Sequence, residues 1–170
     1  MSAAPTIRRE LLPGDLGAIT AFHGRTYSRE YGVDTTFEAS VAAGLARAGE
    51  RGFPGPREGI WIVERDGELM GCLGLTDEGE GEARLRWFVL DASLRGQGLG
   101  RRLLGELMTK AGQAGYRRIA LETFSELEAA AHLYRELGFE LVWEDKRPRW
   151  GRREFTYQRY ELELASVAAA

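Results

Sequence analysis

The segment LRGQGLGRR (residues 94–102) sets three glycines at alternate positions between arginines. ARLRWFVLD (83–91), just before it, reads as a strand. After it, Leu99, Leu103, Leu104, Leu107, Met108 and Ala111 recur on one face at helical spacing. YRRIALETF (116–124) is the next strand, so the unit makes one parallel crossover. The first amides of the helix lack partners within it and lie at the positive end of its dipole. Side chains at 96, 98 and 100 would keep an anion away, and glycine removes them. The loop therefore reads as an anion site, with Arg95 and Arg101 adding positive charge.

The rest of the chain supplies the sheet and its covering. TIRRELL (6–12) is a first strand. A helix after Pro13-Gly14-Asp15 places Leu16, Ile19, Phe22, His23, Thr26, Tyr27 and Glu30 on one face. A second helix starts at Thr35, which forms a capping box with Glu38, and carries Phe37, Val41 and Leu45. IWIVERDGELMGCLGL (60–75) is a hairpin turning at Asp66-Gly67. In 83–91, Leu85, Trp87 and Val89 alternate with Arg84, Arg86 and Phe88. Ser125 and Glu128 make a second capping box, opening a helix over 126–137 that Gly138 ends. Strands at 139–145 and 154–164 finish the chain. The order β-α-α-β-β-β-α-β-α-β-β predicts an α/β (α+β) fold with a mixed central sheet of about seven strands and flanking helices. One domain is expected over 6–164, with 1–5 and 165–170 as flexible tails.

Composition narrows the function. The net charge is −3 and the pI about 5.6, which argues against a nucleic-acid coat. The arginines of RPRWGRR (147–153) read as a local basic patch on a solvated loop. Cys72 is the single cysteine and sits in an apolar strand, so neither a disulfide nor a metal cluster is expected. The N-terminal MSAAPTIRRE lacks the apolar run of a secretory signal, and no later stretch is long enough to cross a bilayer. A cytoplasmic protein without membrane or nucleic-acid partners is expected.

Two glycine-loop chemistries fit poorly. An NTPase loop needs G-x-x-x-x-G-K-[ST], and neither the lysine nor the hydroxyl is present. The dinucleotide fingerprint begins at Gly96-Gln97-Gly98, but Arg101 occupies its third glycine position; Glu122 could stand for its ribose carboxylate, yet only one βαβ unit is visible. RGQGLG (95–100) matches R-x-x-G-x-G, and LRWFVLDASLRGQGLGRRLL (85–104) resembles the strand, pyrophosphate loop and helix of the GNAT acetyltransferase superfamily. AAHLYRELGF (130–139) resembles that family's second signature, A-x-x-L-Y-x-x-x-G-F. HGRTYSREYG (23–32) and WGRREFTYQRYELEL (150–164) look like the acetyltransferase half of fusions with a MarR-type repressor, whose repressor half has no counterpart here.

The resemblance implies acetyl-CoA as cosubstrate and acetyl transfer to the amine of a small molecule or amino-acid-like acceptor. Backbone groups of Phe88, Val89 and Leu90 would hold the acetyl carbonyl and the pantetheine arm. Amides of Arg95, Gly96, Gln97, Gly98, Leu99, Gly100 and Arg101 would cradle the pyrophosphate. Many members carry an asparagine where this chain has Leu127, and Ser125 is expected to supply a hydroxyl instead. Tyr134 matches the tyrosine that protonates the departing thiolate. Glu30 and Glu122 are the candidate bases; His23 could relay protons, but reads first as a satisfied histidine of the helix face. Trp150 with Arg149 and Arg152 would border the acceptor. Homodimers are common in the family. A non-catalytic acetyl-CoA sensor is the alternative reading.

Overall fold

The computed structural model describes residues 3–165. Its elements are β1 (Thr6–Arg8), α1 (Asp15–Tyr31), α2 (Thr35–Glu50), β2 (Gly59–Arg65), β3 (Glu68–Gly79), β4 (Glu82–Leu90), α3 (Leu99–Gln113), β5 (Arg118–Phe124), α4 (Glu128–Glu136), β6 (Glu140–Lys146) and β7 (Thr156–Glu163). A short 3-10 turn, Ala92–Leu94, joins β4 to the glycine loop. The seven strands form one sheet in the order β1-β2-β3-β4-β5-β7-β6. Only β4 and β5 run parallel, as the loop-and-helix crossover requires. The expected order and the mixed α/β sheet are both observed. Of the expected tails, residues 1–2 and 166–170 lie outside the described residues.

Helices cover both faces. On one side Leu103, Leu104 and Leu107 of α3 and Tyr134 of α4 pack on Leu73, Leu85 and Ile119. On the other, Ile19 of α1 and Phe37 and Leu45 of α2 pack on Ile62, Cys72 and Phe124. Cys72 is fully buried and its thiol donates to the Trp87 carbonyl (3.0 Å). Burial pushes that thiol up, so it stays an inert filler.

Local rules failed at four places. The first strand stops at Arg8 because the Asp15 carboxylate captures the Leu12 amide (2.6 Å) and turns the chain into α1. The cap of α2 is Asp34, whose carboxylate accepts from the Thr36 amide (2.9 Å), rather than Thr35. The Ser125–Glu128 box does not form: the Ser125 amide bonds to the Thr156 carbonyl (3.0 Å), and α4 starts after Leu127 with no side-chain cap. The Gly138 end is as expected, with φ +94° and the Phe139 amide closing back on the Tyr134 carbonyl (3.0 Å).

The fourth failure shapes the site. Alternation breaks in β4, where Trp87 has φ +54° and the register against β3 gains a residue between Arg86 and Val89. This is a β-bulge. It turns Trp87 and Val89 toward α1 and α2, whereas Leu85 faces α3 and α4. Gly74 makes it possible, since a Cβ there would lie 2.6 Å from Cε3 of Trp87.

Candidate active site

β4 pairs with β5 only from Glu82 to Arg84. Beyond the bulge the two strands diverge, and the opening holds a cleft of about 680 Å³. Its walls are Phe88, Val89 and Leu90 of β4, the glycine loop, and the first turns of α4. A second cleft of about 340 Å³ lies under α1, α2 and the β6–β7 loop. Tyr27, Phe88, Leu127 and Tyr134 line both, so the clefts meet where β4 and β5 part.

The loop glycines answer to different demands. Gly96 (φ +71°) and Gly98 (φ +80°) adopt left-handed backbone, with nothing near the place a Cβ would occupy. Gly100 is helical, and a Cβ on it would come into ordinary contact with the Phe88 ring at 3.4 Å. The Arg102 amide makes the first helical bond, to Gly98 (3.0 Å), and the Arg95 amide, expected in the cradle, is taken by the Ala92 carbonyl (3.3 Å), so the amides from Gly96 to Arg101 are left for a ligand. The uncapped start of α4 faces the same cleft. These bare amides and the elongated cleft suit a chain carrying a pyrophosphate.

The arginine charges are already committed. Arg95 donates from Nε to the Leu90 carbonyl and from both terminal nitrogens to Glu30, each at 2.9 Å. That carboxylate, foremost, raises the Arg95 pKa. Arg101 pairs with Glu136, and Gln97 bonds to the Ser93 carbonyl (2.7 Å). The positive character of the loop therefore rests on its backbone.

Tyr134 stands at the junction, 4% exposed, against Phe88, Phe139 and Tyr160. Its hydroxyl makes no hydrogen bond among the described residues. Burial raises its pKa, so the phenol keeps its proton at neutral pH. Tyr27, opposite, donates to the Phe88 carbonyl (3.2 Å).

The two candidate carboxylates separate. Glu30 lines the larger cleft with both oxygens on Arg95. Glu122 lines the smaller one, accepting from Tyr157 (2.6 Å) and Arg84 (3.1 Å). Ser125 belongs to neither wall, its hydroxyl bonding to Glu126 (3.2 Å), a departure from the expected cofactor contact that follows from the lost cap. His23 bonds through Nδ1 to the Ile19 carbonyl (2.9 Å), and burial lowers its pKa to about 4. The RPRWGRR stretch is no free patch: Arg147 and Arg152 pair with Asp145 and Glu126. Arg149 lies over the Trp150 and Tyr157 rings, 4.5 and 4.4 Å from their centres.

Comparison with known proteins decides the family. The acetyltransferase (GNAT) family model matches residues 25–139, which span the β4–β5 opening, the glycine loop and α4. The chain belongs to the GNAT acetyltransferase family. The uncharacterised N-acetyltransferase YjgM of Escherichia coli (strain K12) is 32% identical over 121 residues, 69% of this chain and 72% of YjgM. The uncharacterised N-acetyltransferase C1271.07c of Schizosaccharomyces pombe is 32% identical over 117 residues, 67% of this chain and 70% of its own. In fold, the chain is similar to an N-acetyltransferase from Staphylococcus aureus Mu50 (TM-score 0.72, 20% identity, covering 96% of this chain and 100% of that one). It is also similar to yncA of Salmonella typhimurium, solved with its cofactor acetyl-CoA (TM-score 0.68, 20% identity, 99% and 98% covered). This GNAT chain is thus an acyltransferase, and acetyl-CoA is its cosubstrate.

Sequence reasoning missed Tyr27 as a wall of both clefts of this GNAT site, and Arg84 and Arg86 as walls of the second. Helical spacing put Tyr27 on the buried face but gave no sign of what it meets. The bulge hides the arginines, because strict alternation makes 84 and 86 read as an ordinary solvent face.

Proposed function

We propose that the chain transfers acetyl from acetyl-CoA directly to the amine of a small or amino-acid-like acceptor. The meeting of the two clefts at Phe88 and Tyr134 carries this reading, because a donor in one then touches an acceptor in the other. Acetyl-CoA supplies an acyl group activated as a thioester with a thiolate as its leaving group. The amides from Gly96 to Arg101 hold the pyrophosphate, and the β4 backbone at Phe88, Val89 and Leu90 holds the arm and the acyl oxygen. A backbone donor aimed at such an oxygen contributes about 2.7–4 kcal/mol. Tyr134 gives its hydroxyl proton to the thiolate. Glu122, in the acceptor cleft, takes the proton that the amine must lose. Glu30 serves as a clamp that fixes Arg95 and with it the loop.

The closer likeness to repressor-fused acetyltransferases, a single domain over 6–164, a cytoplasmic location and a homodimer belong to the same proposal. Light scattering on the purified chain tests the last. The central test is CoA release in a screen of amines. Tyr134→Phe is expected to keep acetyl-CoA affinity while turnover falls roughly 10²–10⁴-fold, the usual share of a general acid. Full turnover in that variant would reduce Tyr134 to packing, and binding without CoA release for any amine would favour the sensor reading.

A further inference from the structure

The acceptor cleft has a charge pattern that selects its ligand. Four guanidiniums line it, those of Arg47, Arg84, Arg86 and Arg149, against the single carboxylate of Glu122. Arg84 bonds to Glu122, Arg149 lies over Trp150 and Tyr157, and Arg47 is exposed. Arg86 has neither an ion pair nor a hydrogen bond among the described residues. It is half-buried, with its guanidinium 4.9 Å from the centre of the Trp87 ring. Gly44 leaves room for it. A Cβ on Gly44 of α2 would lie 2.8 Å from Nη2 of Arg86, so any other residue there would displace the guanidinium.

Desolvation, and then the neighbouring Arg84, disfavour the charge on Arg86, while Glu78 and Glu122 favour it more weakly from beyond ion-pair distance. A cation held in such a place without a counter-ion leaves a demand that an anionic ligand fills.

We propose that this cleft takes a primary amine bearing a carboxylate, of the α-amino-acid class, and that Arg86 binds the carboxylate. The proposal rests on the acetyl-transfer reading and adds the acceptor's chemistry and its anchor. Polyamines and aminoglycosides bring several positive charges and would be repelled by the same four arginines. A zwitterion fits both signs: its carboxylate answers Arg86, and its ammonium turns toward Glu122 at the β4–β5 opening. Arg152, an expected border residue, is already paired with Glu126 and leaves the role to Arg86.

The test compares each of a set of L-amino acids with its own amide, alongside spermidine and kanamycin, by CoA release from the intact chain. A free acid should exceed its amide at least 10-fold in kcat/KM. Arg86→Gln should raise the KM for that acid roughly 10- to 100-fold, as for loss of a charged hydrogen bond, and erase the acid–amide difference. Its KM for acetyl-CoA should not change, which also shows that the variant folds. Arg86→Lys should restore part of the preference, since it keeps the charge but loses the planar fork. Equal use of acid and amide, or preference for spermidine or kanamycin, overturns the inference while acetyl transfer stands. Binding of acetyl-CoA without turnover of any free amino acid overturns it as well. A melting temperature unmoved by acetyl-CoA would instead remove the reading beneath it.

Discussion

His23 shows how surroundings in space fix what a residue of the sequence can do. Its helical spacing placed it beside Tyr27 and Glu30, more as a satisfied helix-face histidine than as a relay. In the fold it stacks on Tyr27 (5.8 Å between ring centres) and is 3% exposed, with Nδ1–H donating to Ile19. Burial holds its pKa near 4 against an ordinary 6.5, so it is neutral at pH 7. The unfolded chain therefore binds an extra proton between those values, and stability rises with pH across that window. The slope contributed is at most about 1.4 kcal/mol per pH unit. The depressed carboxylates, Asp15, Glu58 and Glu82 among them, lose their contribution only at lower pH. Urea midpoints from pH 7 to 4.5 should thus fall for the native chain and stay flatter for His23→Gln. Equal slopes in the two proteins would mean that His23 is not the group being titrated. At this scale the glycines and the Tyr134 signature were legible because they are local; the partners of Glu30 and Glu122 were not, being 65 and 38 residues away.

The loop and helix α3 carry the element-scale lesson. Gly98 sits at φ +80°, where an alanine costs about 1–2 kcal/mol, although nothing blocks its Cβ. Gly105 lies inside α3, is helical and also has open space around it. Gly98→Ala is expected to destabilise by about 1 kcal/mol and weaken acetyl-CoA binding. Gly105→Ala is expected to stabilise by roughly 0.5–1 kcal/mol through helix propensity and leave binding intact. Thermal melts of the two variants, with and without acetyl-CoA, check both signs at once. Element order could be read from apolar spacing where a helix or strand buries a periodic face, as α3 does with Leu103, Leu104, Leu107 and Ala111. The caps could not. Asp34 and Ser125 each had two ways to satisfy the backbone, and Ser125 took the cross-strand partner Thr156 over the helix.

At the scale of the whole molecule, the site exists because the sheet is split. The β4–β5 opening is bounded by α1 and α2 on one face and α3 and α4 on the other. A ligand that spans it binds only the folded state. At about one hundred times its dissociation constant, acetyl-CoA should add roughly 2.7 kcal/mol, a rise of about 5–10 °C in Tm for a chain of this length. NADH should leave the melt unmoved. A shift with NADH instead would revive the dinucleotide reading of the glycine loop.

The sequence by itself determined the element order, the parallel crossover and the glycine loop that opens α3. Those follow from periodicity and from residues close together in the chain, where backbone geometry alone relates them. Only the tertiary structure decided that β4 bulges at Trp87, that Arg95 is spent on Glu30, and that Arg86 is left without a counter-ion against Gly44. A bulge depends on what the neighbouring strand can accommodate, here Gly74, and a charge is free or paired only by what folds beside it.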